Sequence, residues 1–138
     1  MEALDPSAKS NFDLIVIGAG PAGSSAAITA ARAGTSVLLC ERGRLPRQRV
    51  CGEFVSAESL ELLTTLLAQR ASDLIAFAPR ISAARFFAER RTIPTAVKPP
   101  AASIARLDID LALWNAAAEL GCPATNGGKG VRLSGRSR

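Results

Sequence analysis

A glycine-rich turn between two apolar segments constrains this chain more than any other feature of its sequence. The β-branched run at 14–17 is typical of a parallel strand that is covered on both faces. The glycines follow at once, and the alanine-rich segment 22–33 predicts a helix that ends at Gly34. Residues 35–41 predict a second strand. The spacing therefore predicts a β-α-β unit, the start of an α/β fold with a parallel sheet.

Each glycine of the Gly18-x-Gly20-x-x-Gly23 pattern has a steric reason to be there. Gly18 permits the tight turn out of the strand, Gly20 lets a pyrophosphate approach the backbone, and Gly23 lets the helix pack closely on the sheet. The helix N-terminus offers unpaired N–H groups and a partial positive charge, which favours an anion by about 0.3–1 kcal/mol. Glu41, at the end of the second strand, is placed to accept hydrogen bonds from ribose hydroxyls and would repel a 2′-phosphate. The pattern indicates a dinucleotide site, with a purely structural turn as the alternative.

The residue types that are missing from the sequence exclude several kinds of catalysis. The chain has no histidine and no tyrosine. Neither a Ser-His-Asp or Cys-His nucleophile nor a His-ligated zinc ion can be built from these residues, and we predict no metal site. The chemistry of an enzyme of this kind must come from a cofactor or from residues outside this sequence.

Three segments together are similar to a known group of flavoproteins. Residues 13–27, with the sequence DLIVIGAGPAGSSAA, resemble the FAD-binding start of the flavoprotein monooxygenase and geranylgeranyl-reductase superfamily, which includes p-hydroxybenzoate-hydroxylase-like enzymes and flavin halogenases. Residues 45–53 look like the proline-arginine and Cys-Gly segment of the geranylgeranyl-reductase-like branch, and residues 103–111 like the Arg-then-Asp-Leu pattern that opens the next helix. The resemblance covers 12–121. It implies a Rossmann-like FAD-binding domain of the glutathione-reductase type, here with an incomplete parallel sheet and a small excursion of helix and short strands.

The resemblance implies FAD as the cofactor and a set of residues that contact it. The pyrophosphate would be held by the turn residues Gly18, Gly20, Pro21, Ala22 and Gly23. The adenosine ribose would be held by Glu41. The other implied contacts are Arg42 beside the adenosine half, the loop from Arg47 to Cys51 and Gly52 toward the flavin, and Arg106 at the phosphate or ribose. From the residues alone, the arginines of 42–52 are equally compatible with a solvated loop and Cys51 with an inert small residue. No catalytic side chain can be named.

The charge of the chain favours a small anionic ligand over a nucleic acid. The net charge is +5, and the loop 42–52 carries four arginines without an acidic residue. No basic run is interleaved with aromatic residues, so we predict no nucleic-acid partner. Three cysteines without a C-x-x-C pair, and acidic residues where a signal peptide has basic ones, predict a cytoplasmic protein. Residues 14–31 lack charge but contain glycine, proline and serine, so we predict no transmembrane segment.

Beyond the loop, the sequence predicts helices and a pair of short strands. Ser56 is placed to cap a helix at 57–69. Short strands are predicted at 81–88 and 92–97, and the proline pair that follows is expected to end them. A last helix is predicted at 107–120. Its predicted core stripe consists of Leu107, Leu111, Trp114 and Ala118.

The chain is expected to consist of three parts: a flexible leader at 1–11, the N-terminal part of the FAD-binding domain at 12–121, and an irregular, disordered tail at 122–138. Members of the superfamily are longer, with a third parallel strand, a substrate-binding sheet and a later Gly-Asp motif that contacts the FAD. The sequence contains no Gly-Asp dipeptide. We therefore expect a truncated N-terminal part, and a shifted reading frame over 122–138 is one hypothesis for the tail.

The expected function is that of the FAD-binding portion of a flavin-dependent oxidoreductase, either a monooxygenase or a geranylgeranyl-reductase-like enzyme. The full-length enzyme would act on a small organic or isoprenoid substrate, with NAD(P)H as a candidate electron donor. The piece alone is expected to lack turnover. Two alternatives remain open: a fragment of an NAD-dependent dehydrogenase, and an orphan product that binds no ligand.

Overall fold

The computed structural model describes residues 11–43, 45, 48–51 and 53–126 of the 138-residue chain. These residues form a three-stranded parallel sheet, a three-stranded antiparallel sheet and four helices. The elements in chain order are β1 (Leu14–Ile17), α1 (Pro21–Arg32), β2 (Val37–Glu41), β3 (Phe54–Val55), α2 (Ala57–Leu67), α3 (Gln69–Ala76), β4 (Arg80–Ala88), β5 (Arg91–Ser103), α4 (Arg106–Glu119) and β6 (Ala124–Asn126).

The parallel sheet has the strand order β1-β2-β6, with α1 as the connection between the first two strands. Ile17 pairs with Cys40 and Cys40 with Thr125, so the three strands are in parallel register. The α/β class and the predicted β-α-β unit are confirmed. The prediction of an irregular tail is wrong for 124–126, which form β6 beside β2. The predicted leader up to residue 10 and the tail from 127 lie outside the described residues.

The first strand is far more exposed than its apolar sequence predicts. Leu14 and Ile15 are each 37% exposed and Ile17 is 77% exposed, so the prediction of a strand covered on both faces is wrong. Within the described residues β1 pairs with β2 alone and lies at one edge of the sheet. Cys40, in the neighbouring strand β2, is half-buried. An apolar run predicts a strand, but the burial of that strand depends on which other elements pack against it, and the run itself does not specify them.

The antiparallel sheet has the order β3-β5-β4 and is longer than predicted. The prolines at 99 and 100 do not end the pair of strands, because β5 continues to Ser103. Ala83 pairs with Ala96, whereas Ile81 pairs with Ala101, so several residues of β5 bulge opposite one residue of β4. A bulge tolerates proline because the missing N–H removes no bond between the strands.

The helical segment after residue 56 is two helices rather than one. Ser56 caps α2 as predicted, since its side chain accepts a hydrogen bond from the amide nitrogen of Ser59 at 3.3 Å. Ala68 then adopts a φ of 51°, which interrupts the helix, and α3 follows. A separate helix α3 was not predicted from the sequence. None of the described helices is long and apolar enough to cross a membrane.

The core lies between α1, α2 and α4, and it fixes where the first turn of α4 is placed. Ala27 and Ile28 of α1 are completely buried, and α4 packs against α1. The predicted stripe on α4 is wrong except at Trp114, since Leu107 and Leu111 are only half-buried and Ala118 is exposed. The residues of α4 that are buried are Ile109, Asp110, Leu113, Trp114, Ala116 and Ala117. This rotation of α4 brings its N-terminus beside the N-terminus of α1.

Candidate dinucleotide-binding site

The glycine turn joins the end of β1 to the start of α1. Gly18 has a φ of +102°, which only glycine adopts without strain, and its amide nitrogen donates to the carbonyl of Cys40 at 2.7 Å. Gly20 is the N-cap of α1 and provides no side-chain cap to the first turn. Pro21, the first helical residue, has no N–H to satisfy.

Close packing of the helix on the strand depends on Gly23. A Cβ atom at this position would lie 1.8 Å from the carbonyl oxygen of Gly18 and 3.3 Å from Cγ1 of Val16. No side chain fits at such a distance from a backbone oxygen. The predicted close approach of the helix to the strand at Gly23 is therefore confirmed.

The carboxylate of Glu41 lies at the end of β2, directly against the turn. It is 7% exposed, and its two oxygens accept hydrogen bonds from different backbone amides. Oε2 accepts from the amide nitrogen of Ala19 at 2.9 Å, and Oε1 from that of Gly43 at 2.9 Å. Glu41 therefore lies beside the glycine turn and also holds the turn in place.

Three amides at the start of α1 remain available. The N–H groups of Gly20, Ala22 and Gly23 have no acceptor among the residues that the structure describes. The first N–H groups of any helix lack an intrahelical partner, and here no capping side chain replaces one. Such a group of donors, together with the positive end of the helix dipole, is suited to an anion.

A guanidinium group lies over the same turn. Arg106 is the first residue of α4, and its Nη2 atom lies 3.3 Å from the position that a Cβ of Gly20 would occupy. Its Nε donates to Oδ1 of Asp110 at 2.8 Å, and Asp110 is only 3% exposed. Asp110 falls within the Arg-then-Asp-Leu pattern at 103–111, to which the resemblance assigns only the Arg106 contact. The four-residue spacing of Arg and Asp on one helix was the signal that could have identified the pair.

These groups line one open crevice of about 390 Å³. Its walls are residues 17–23 with Glu41, Leu45, Arg49, Arg106 and Asp110. Of the other predicted contacts, Arg42 and Cys51 are exposed and are not part of this wall. Arg47 and Gly52 lie outside the described residues. The crevice thus combines backbone donors, two guanidinium groups and two carboxylates, of which Asp110 is paired with Arg106, an arrangement that can hold a diphosphate with an attached sugar.

A strand, a glycine turn and a helix N-terminus with unpaired amides are typical of dinucleotide-binding α/β domains. Residues 13–84, more than half of the chain, match the family described as FAD dependent oxidoreductase. The chain belongs to this family. Among the described residues, no group of three or more side chains is placed to hold a metal ion.

Curated relatives match the chain over 51–54 residues. Digeranylgeranylglycerophospholipid reductase 1 of Methanopyrus kandleri is 53% identical over 53 residues, which are 36% of this chain and 14% of that protein. Menaquinone reductase of Mycolicibacterium smegmatis is 43% identical over 54 residues, which are 39% of this chain and 13% of that protein. The chain therefore spans only a small part of the length of these relatives.

Solved flavoprotein structures share the fold over most of the chain. The myxobacterial chondrochloren halogenase CndH, described as a variant of FAD-dependent halogenases, has a TM-score of 0.72 and 26% identity, covering 84% of this chain and 28% of that one. The flavin-dependent brominase Bmp2 has a TM-score of 0.71 and 24% identity, covering 84% of this chain and 29% of that one. At 24% identity, the similarity to the brominase shows a shared fold alone.

Proposed function

We propose that this chain is the N-terminal FAD-binding portion of a flavin-dependent oxidoreductase. The observation that carries the proposal is the meeting of three unpaired amides, at Gly20, Ala22 and Gly23, with the Arg106 guanidinium over one glycine turn. The pyrophosphate of FAD is the part of the cofactor that this donor set suits. Membership of the FAD-dependent family supports FAD over other dinucleotides.

The adenosine ribose is proposed to bind at Glu41. Each carboxylate oxygen of Glu41 accepts a hydrogen bond from one backbone amide. A carboxylate oxygen can accept more than one hydrogen bond, so its bonds to the turn do not exclude bonds from ribose hydroxyls. A 2′-phosphate would meet the same negative charge, which favours FAD or NAD over NADP at this position.

Bound FAD would supply the electron transfer, while the residues of this chain bind and orient the cofactor. Gly18, Gly20, Pro21, Ala22 and Gly23 form the pyrophosphate cradle in this proposal. Arg49, at the crevice wall, provides a second cation near it. Arg42, Arg47, Cys51 and Gly52 remain proposed contacts on the adenosine and flavin sides.

The whole enzyme is proposed to be a reductase of an isoprenoid-like substrate rather than a monooxygenase. Relatives that match at 43% and 53% identity carry the names menaquinone reductase and digeranylgeranylglycerophospholipid reductase. NAD(P)H is the proposed electron donor and the cytoplasm the proposed location. Because the chain spans 13–14% of these relatives, we propose that it binds FAD without turnover.

Titration with the two candidate cofactors tests the proposal. FAD added to the purified protein should remain with it through gel filtration and give an absorption band near 450 nm. NAD should neither bind nor raise the melting temperature, whereas bound FAD should raise it. Binding of NAD without FAD would favour the dehydrogenase alternative, and a melting temperature unchanged by both would favour the orphan product.

Gly20→Val is the matched variant for this titration. Gly20 has a φ of −75°, which any residue adopts, and only the tip of Arg106 lies near its absent side chain. The variant should therefore fold normally. A valine would fill the space through which the pyrophosphate approaches, so FAD binding should be abolished. Equal affinity in this variant would refute the proposed cradle.

A further inference from the structure

We infer that Asp110 is a positioning residue that aims the Arg106 guanidinium at the ligand diphosphate. The inference rests on the function proposed above and assigns a role to a residue that the sequence pattern left without one. The carboxylate of Asp110 lies one helical turn further along α4 and accepts the hydrogen bond from Nε of Arg106 at 2.8 Å, which links it to the guanidinium over the turn.

The burial of Asp110 is the first part of the argument. The other buried positions of α4 are apolar, among them Ile109, Leu113 and Trp114, and the Asp110 side chain is only 4% exposed. A buried ion pair is often no more stabilising than apolar residues of similar volume. A carboxylate at this core position is therefore poorly explained by stability alone, and its contact with Arg106 offers another reason.

The geometry of the guanidinium is the second part. Arginine has five N–H donors, and Nε uses one of them on Asp110. The terminal nitrogens Nη1 and Nη2 have no acceptor within the described part of the chain, and Nη2 lies at Gly20. Fixing Nε thus leaves the planar end of the group facing the turn, where two parallel N–H bonds to a phosphate can form.

Holding the arginine before the ligand arrives should raise the affinity. Ordering a flexible side chain on binding opposes association, and a side chain that is already ordered avoids this cost. Loss of the Asp110 contact should therefore weaken FAD binding about threefold to tenfold without removing the fold. The effect should depend on Arg106, since Asp110 acts through it.

A double-mutant cycle on FAD affinity tests the inference, with quenching of flavin fluorescence as the readout. Asp110→Asn keeps the shape and removes the charge, and it should weaken binding about threefold to tenfold. Arg106→Met should weaken binding at least as much. The double variant should match Arg106→Met, because without the guanidinium Asp110 has nothing to position.

Asp108→Asn is the matched control, because Asp108 is an exposed carboxylate in the same helical turn and makes the same charge change. Its FAD affinity should equal that of the wild type. If Asp110→Asn does not fold, Asp110→Glu, which keeps the charge but shifts the guanidinium, should show the same weakening.

Several results would overturn the inference. Wild-type affinity in Asp110→Asn or Asp110→Glu would do so. An equal loss from Asp110→Asn with and without Arg106 would also do so, since it indicates a purely structural role. If the wild type bound FAD and Gly20→Val did not, such results would overturn the role of Asp110 but leave the proposed FAD site intact. A wild type that did not bind FAD would overturn the proposed function as well.

Discussion

The carboxylate of Glu41 accepts a hydrogen bond from the amide nitrogen of Ala19 at 2.9 Å, which ties the end of the second strand to the glycine turn. The two residues are 22 positions apart in sequence. Glu41 thus has two roles in the proposed site, because it faces the crevice and also fixes the turn that forms it. A substitution of Glu41 should therefore change both the cofactor affinity and the stability of the turn.

Glu41→Gln should weaken FAD binding about tenfold and lower the free energy of unfolding. Hydrogen bonds to charged groups contribute about 1.5–3 kcal/mol each, and the variant loses the charge from the bonds with Ala19 and Gly43. Flavin fluorescence titration and urea unfolding measure the two effects. Glu61→Gln, on the exposed side of α2, is the control. Unchanged FAD affinity would argue against the ribose contact.

Gly23→Ala should abolish FAD binding and destabilise the fold. Its Cβ would lie 1.8 Å from the Gly18 carbonyl oxygen, so the N-terminus of α1 must move away from β1. Gly34→Ala is the matched control, because this glycine ends the same helix at a φ of +85° with nothing within 4 Å. It should cost about 1 kcal/mol of stability from the strained backbone and leave FAD affinity unchanged. Normal binding by Gly23→Ala would contradict the close packing.

Ser56→Ala should lower the free energy of unfolding by about 1 kcal/mol, since the side chain caps α2. Ser72→Ala, an exposed change in α3, should not lower it. Urea unfolding of both variants at neutral pH gives the comparison. If the cap contributed nothing, Ser56→Ala and Ser72→Ala would have the same free energy of unfolding.

The pKa of Glu58 reports on the same cap. It lies below its ordinary value because the Glu58 backbone amide and, to a smaller extent, the Ser56 hydroxyl donate hydrogen bonds to the carboxylate. A carboxylate with a lowered pKa in the folded state adds stability above its unfolded pKa and loses it as the pH falls through the folded pKa. Ser56→Ala should raise the pKa of Glu58 part of the way back, and an NMR titration measures this. An unchanged titration would exclude the hydroxyl contact.

Cys51 should react with a thiol reagent much faster than Cys122. Cys51 is exposed, whereas burial raises the pKa of the Cys122 thiol and keeps it protonated at neutral pH. Mass spectrometry after timed labelling with iodoacetamide assigns each modification. Cys51→Ser should remove the fast phase. Early labelling of Cys122 in the folded protein would contradict its position in the core.

The local features of the site were predictable because they depend on short-range sequence. Gly18, Gly23 and Glu41 each follow from a steric or hydrogen-bonding need of one strand-turn-helix unit, and the structure places all three around the turn. The exposure of Ile17 was not predictable, because it depends on which strands lie beside β1. The continuation of β5 past its prolines was likewise not predictable, because it depends on a bulge that forms where β5 pairs with β4.

The orientation of α4 shows the same limit. Apolar residues occur around much of this helix, so the periodicity of the sequence was compatible with more than one buried face. Packing against α1 buried the face that contains Leu113 and Asp110. That choice placed Arg106 over Gly20 and buried its carboxylate partner. Contacts between residues far apart in sequence thus completed a site whose first half the sequence had indicated.

The most direct test is an NMR titration of the ¹⁵N-labelled protein with FAD, following individual backbone amides. If the diphosphate binds at the start of α1, the signals of Gly20, Ala22 and Gly23 should shift most, in proportion to bound FAD. The amide of Gly34, at the far end of the helix, should not move. Binding of FAD with these three amides unchanged would contradict the proposed site.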